Sequence, residues 1–69
     1  MTRPAPKYPD IYVPLVGEDG NAFSIIGRAM KAMRRAKLPE SEMNAFRDEA
    51  TTGSYDQLLQ AVMRWFETE

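Results

Sequence analysis

From Asn21 to Lys37 the chain reads NAFSIIGRAMKAMRRAK, a proline-free stretch in which apolar and basic residues separate at helical spacing. At about 100° per residue, Phe23, Ile25, Ile26, Ala29, Met30, Ala32, Met33 and Ala36 gather on one half of the wheel. Arg28, Lys31, Arg34 and Arg35 occupy the other half. So broad an apolar arc suits a helix packed against two neighbours, whereas a coiled-coil seam is narrower. The stretch therefore predicts the scaffold helix of a small bundle, over about 21–37, and the rest of the chain must supply its neighbours.

Two further helices are written downstream. Pro39 fits a first helical position, with Glu40 and Glu42 in the turn where carboxylates suit the helix dipole, and the pattern runs over 39–51. That helix offers only a thin stripe of Met43, Phe46 and Ala50. Gly53 is placed to close it in a left-handed conformation, and Ser54 with Gln57 forms the S-x-x-Q capping box of a third helix over 54–66. The third helix is apolar over more than half its wheel, through Tyr55, Leu58, Leu59, Ala61, Val62, Met63, Trp65 and Phe66. Two wide apolar faces flanking one thin stripe leave more greasy surface than the middle helix can cover.

Upstream, residues 1–10 (MTRPAPKYPD) carry prolines at 4, 6 and 9, which remove backbone donors and favour extended conformations; the expectation is a flexible arm. Ile11 to Val16 (IYVPLV) reads as a short extended segment confined to an edge by Pro14. No second strand pattern follows it, so it either lies over the helices or pairs with the same segment of a second copy. Gly17 to Asn21 (GEDGN) reads as a turn, with Asp19 or Asn21 capping the helix behind it. An anion cradle there would be opposed by Glu18 and Asp19, and the spacing is not that of a calcium loop. The expected fold class is thus mainly α: one small three-helix domain over 11–69, preceded by an extended arm able to form a strand.

Composition narrows the chemistry. A chain of 69 residues without cysteine or histidine has no disulfide, and it cannot assemble the usual zinc, haem or iron–sulfur ligand sets, so no cofactor or metal is expected. Ser24, Ser41 and Ser54 have no histidine to activate them, and Glu40, Glu42, Asp48 and Glu49 read as solvated charge on helix turns, so no catalytic residue is assigned. No apolar run approaches the roughly 20 residues of a membrane span, and the first residues lack a signal-peptide core; a cytoplasmic protein is expected. The formal net charge is -1, yet five of the nine basic residues, Arg28, Lys31, Arg34, Arg35 and Lys37, are concentrated in one short stretch.

Two strings, GEDGNAFSIIGR from Gly17 to Arg28 and EATTGSYDQLLQAVMRW from Glu49 to Trp65, resemble a group of short uncharacterised bacterial proteins, some carried by phages or plasmids. In that group a strand-like lead runs into DGNAF, and an EATSGDYDxLL…VMRW string follows. Thr52 and Ser54 stand here where the group has Ser and Asp, a change that keeps a turn and a cap. The resemblance covers about two thirds of the chain. It implies a compact accessory protein of bacterial or phage origin, and no activity comes with it.

The function expected on these grounds is non-enzymatic protein interaction, of an adaptor or inhibitor-like kind. The surplus face of the third helix, through Leu59, Met63, Trp65 and Phe66, is the expected partner surface, and it also makes a homodimer an expected way to hide apolar area. Met30, Met33, Met43 and Met63 read as core filler, though methionine-rich surfaces also repack around partners. The basic face of the first helix, Arg28, Lys31, Arg34 and Arg35, is the other expected surface, for an acidic protein partner, and the alternative function is a nucleic-acid-binding accessory protein using the same stripe.

Overall fold

The structure, a computed structural model, describes residues 5–68. Its elements run β1 (Tyr8–Val13), α1 (Ala22–Arg35), α2 (Glu40–Thr51), α3 (Tyr55–Trp65) and β2 (Phe66–Thr68). The fold is mainly α, and the three helices fall within two residues of the expected spans at either end.

Local chemistry sets the helix ends. Asn21 caps α1, its side-chain oxygen accepting from the Phe23 N–H at 2.8 Å. The other end closes on Lys37, whose φ of 61° lies in the left-handed region. The Lys37 N–H donates to the Arg34 carbonyl at 3.0 Å and the Leu38 N–H to the Met33 carbonyl at 3.1 Å, the paired reversal of a Schellman motif.

Gly53, expected to play that left-handed role after α2, does not: among the described residues only Gly17 and Lys37 have positive φ. Its function is room. The capping box forms, with the Ser54 N–H donating to Gln57 Oε1 at 2.9 Å, and a Cβ on Gly53 would fall 1.4 Å from that same oxygen. A side chain at 53 would therefore displace the glutamine that opens α3.

Two expectations for the N-terminal region are corrected. Residues 8–10 belong to β1 rather than to a flexible arm, and the Lys7 N–H donates to the Arg64 carbonyl at 2.8 Å. Positions 1–4 of that arm lie outside the described residues. The strand also finds its partner within the chain: β1 and β2 pair in parallel, Tyr8 opposite Phe66, Tyr12 opposite Glu67 and Val13 opposite Thr68. The register slips between Tyr8 and Tyr12, where Pro9 has no N–H to contribute to a ladder. Parallel neighbours need a long crossover, and here α1, α2 and α3 together supply it.

This pairing resolves the apparent surplus of apolar surface. β1 contributes Ile11 and Val13 to the core and packs against α1 and α3, so the thin stripe of α2 is not the only cover available. Ile25, Ala29 and Met33 of α1, Phe46 and Ala50 of α2, and Leu58, Ala61 and Val62 of α3 complete the interior with Trp65 and Phe66. The Phe46 ring meets Trp65 edge-on at 5.5 Å and Phe66 at 5.1 Å, with Tyr8 stacked on Phe66 at 6.3 Å. Such aromatic contacts add about 0.5–1.5 kcal/mol each to the burial of the rings.

Candidate protein-docking site

Trp65 and Phe66, expected on a partner-binding face, are core residues at 7% and 0% exposure. Trp65 ends the buried face of α3 that runs through Leu58, Ala61 and Val62, and the chain then turns into β2, which carries the Phe66 ring inward onto Phe46 instead of continuing the helix wheel outward. Leu59 and Met63 of the same expected face are half-buried, Leu59 packed against the core cluster. The expected face of the third helix is therefore largely covered, while Tyr55 at its start stays half exposed.

Among the large apolar side chains of the described residues Phe23 is the most exposed, followed by Val16. The core axis of α1 runs through Ile25, Ala29 and Met33, and at about 100° per residue Phe23 lies roughly a third of a turn away from it. It is 87% exposed, whereas Phe46 and Phe66 are sealed. Being part of a half-turn apolar arc did not bring it inside, because α2 and β1 cover only the middle of that arc. Beside Phe23 opens a hollow of about 290 Å³, walled by Ala22 and Ile26 of α1, Ala50 of α2, and Tyr55 and Leu58 of α3. The Tyr55 hydroxyl donates to the Gly20 carbonyl, tying the wall to the turn before α1.

That turn is well determined. Asp19 accepts from the Asn21 N–H at 3.0 Å and from the Ser24 hydroxyl at 3.1 Å, and these bonds hold its carboxyl below the ordinary range. The carboxylate is engaged in organising the helix start, in keeping with the turn-and-cap reading. Arg28 also belongs here: its Nε donates to the Pro14 carbonyl and an Nη to the Asp19 carbonyl, both at 3.0 Å, while its other Nη is buried without a partner. It clamps the end of the N-terminal segment to α1 and is not part of the exposed basic stripe in which the sequence placed it.

Lys31, Arg34 and Arg35 are exposed as expected, and among the described residues none forms an ion pair. They do not share one hollow. Arg35 lies beside Asp10 and Tyr12 of β1, whereas Arg34 borders a groove of about 570 Å³ between α1 and α2. That groove has Met30, Leu38 and Met43 within it and Arg47 across from Arg34, with Glu40 at one end. Arg47 donates to Asn44 Oδ1 at 3.1 Å.

A second polar grouping, invisible to sequence reasoning because its members lie far apart in the chain, ties β1 to the helices. Lys7 pairs with Glu42 at 2.8 Å, the Tyr8 hydroxyl donates to the same carboxylate, and the Lys7 ammonium lies 4.2 Å from the Trp65 ring centre. Glu49 pairs with Arg64 and accepts from the Trp65 indole N–H at 3.2 Å. Glu42 and Glu49 are thus structural partners rather than merely solvated charge. The Lys7 contact, then Tyr8, holds the Glu42 carboxyl below its ordinary value, and Arg64 does the same for Glu49. The bond to Glu42 in turn raises Lys7 and Tyr8.

The signs give a two-sided pH dependence. Lowered carboxyls contribute stability above their unfolded value near 4.5 that is lost as pH falls through the folded values. Raised Lys7 and Tyr8 contribute below unfolded values of 10.5 and 10.0 and lose that contribution as pH rises through the folded ones. Thermal melts across pH are expected to show a plateau falling at both ends, with both limbs flattened in Glu42→Gln. Solvent screening keeps the effect small.

Comparison with protein-family models, with curated proteins and with solved structures returned no match. Among the described residues no helix is long and apolar enough to cross a membrane.

Proposed function

We propose that this chain is a small non-enzymatic protein that acts by binding another protein, which docks on Phe23 and the hollow beside it. The observation that carries the reading is the exposure of Phe23, 87%, in a domain that seals its other phenylalanines. Single exposed apolar residues are ordinary on protein surfaces, but a ring at the lip of an apolar-walled hollow is the arrangement of an interface anchor. Half-exposed Tyr55 adds a second aromatic to the same patch. A cytoplasmic adaptor or inhibitor of the accessory kind carried by phages and plasmids fits this reading and the resemblance of the Gly17 to Arg28 and Glu49 to Trp65 strings.

The test is a photo-crosslinking residue at position 23 in the host cell, alongside Phe23→Ser. Because the ring is exposed, Phe23→Ser is expected to change stability by no more than about 0.5 kcal/mol. The same substitution is expected to abolish the complex captured by the native chain. A complex that survives Phe23→Ser unchanged places the docking surface elsewhere.

The nucleic-acid reading keeps one favourable observation, the exposed Lys31, Arg34 and Arg35, which form no ion pair among the described residues. It predicts affinity for duplex DNA that falls steeply with salt and disappears when all three are changed to Glu.

A further inference from the structure

We infer that the occupant of this surface is an acidic amphipathic helix lying along the valley between α1 and α2, from the Phe23 hollow to the groove between Arg34 and Arg47. The inference rests on the reading of Phe23 as a docking residue and names the chemistry of the partner.

Phe23, Gly27, Met30 and Arg34 follow i, i+4, i+7, i+11 spacing and share the flank of α1 beside its core face. On α2, Glu40, Asn44, Arg47 and Thr51 repeat the same spacing. α1 and α2 contribute to both hollows: Phe23 shares one with Ala50 and Thr51 together with Tyr55 and Leu58 of α3, and Arg34 shares the other with Glu40 and Arg47. The inferred helix would run from the apolar hollow at one end to the basic groove at the other. Along α1 the stretch from Phe23 to Arg34 spans about 17 Å, three turns of helix, which is the footprint of a short helical segment.

Charge selects among helices. Arg34 has no ion pair among the described residues, and Arg47 has only its neighbour Asn44. Lys31 stands exposed one turn before Arg34, and Glu40 is the single acid lining that end. Of the other carboxylates on α2, Glu42 is engaged by Lys7 and Glu49 by Arg64, while Asp48 is exposed and, among the described residues, forms no ion pair with Arg34 or Arg47. The arginines are therefore left to an outside acid, and the flexible thioethers of Met30 and Met43 give that end a floor that adapts to apolar side chains.

Gly27 is an independent sign of close approach. It lies inside α1, where glycine weakens a helix, and a Cβ there would meet nothing within 4 Å, so nothing inside the fold requires it. On the stripe between Phe23 and Met30 it forms a notch into which a partner backbone can settle.

The test titrates the full chain with a labelled helix-forming peptide of about 16 residues, bearing a leucine stripe and glutamates at one end. A twin carrying lysines in place of the glutamates and a duplex DNA of similar length serve as comparisons. The acidic peptide is expected to bind at least about tenfold more tightly than the twin at low salt, with the margin shrinking as salt screens it. Arg34→Glu with Arg47→Glu is expected to invert that preference. Gly27→Leu, which favours helix and fills the notch, is expected to melt no lower than the native chain and to lose the acidic peptide. Equal binding of the two peptides, unchanged binding by Gly27→Leu, or a duplex that binds more tightly and is lost in the double variant each overturns the inference. If neither peptide binds, a Phe23 crosslink that persists shows that only the occupant was wrong; its loss shows that the docking reading fails as well.

Discussion

Phe66→Ala is expected to unfold the domain or bring it to the edge of unfolding, although a helical wheel would place Phe66 on a surface. The side chain is fully buried and meets the rings of Phe46, Tyr8 and Trp65. Deleting a buried phenylalanine costs about 3–5 kcal/mol, through lost transfer energy and the cavity left behind. A chain of this length is expected to have a total stability of roughly 3–10 kcal/mol. With no disulfide to hold the unfolded chain together, there is little reserve. Urea titration followed by Trp65 fluorescence measures the loss directly. A variant with a native-like midpoint would show that the ring does not close the core.

Val13→Asp is expected to be at least as damaging, for a different reason. Val13 has no exposed surface, sits opposite Thr68 in the parallel pair and belongs to the strand that covers α1 and α3. An unpaired carboxylate at that position costs about 3–5 kcal/mol unless the strand detaches to hydrate it. Detachment would uncover the wide faces of α1 and α3, so the variant should associate or aggregate as well as melt early. Size-exclusion chromatography with light scattering reads that association, and Tyr12→Asp, on an exposed side chain of the same strand, is the control expected to stay near native stability.

The helices were legible because their signals are local. Apolar periodicity from Asn21 onward, the Asn21 cap, Pro39 and the Ser54–Gln57 box each act within a few residues, and each gives the element it implies. What the sequence hid depends on residues distant in the chain. β2 is three residues long and begins with a phenylalanine that also fits the preceding helix wheel, so neither period nor length marks it. Without β2, neither the pairing of β1 nor the inward turn of Phe66 could be seen, and Phe66 was expected on the outer face of the third helix. The left-handed turn falls after α1, at Lys37, and not after α2, where Gly53 was expected to supply one.

The candidate site was half legible for the same reason. Arg34 and Lys31 lie on the exposed face that the wheel assigned to them, but Arg28 on that wheel was drawn inward by the Pro14 and Asp19 carbonyls. Phe23 was counted as core because a wheel reports the direction of a side chain and not the width of what covers it. The one local hint was Gly27, a glycine inside an otherwise strong helix, on the stripe that the structure leaves open.

Which aromatic rings meet solvent decides where the docking surface lies, and a soluble paramagnetic agent added to the free protein measures this ring by ring in proton relaxation. Strong enhancement at Phe23 and intermediate enhancement at Tyr55, with Phe46, Phe66 and the Trp65 ring nearly silent, is the predicted result. Enhancement at Phe66 or Trp65 equal to that at Phe23 would contradict it, and would return the outward-facing surface to the third helix.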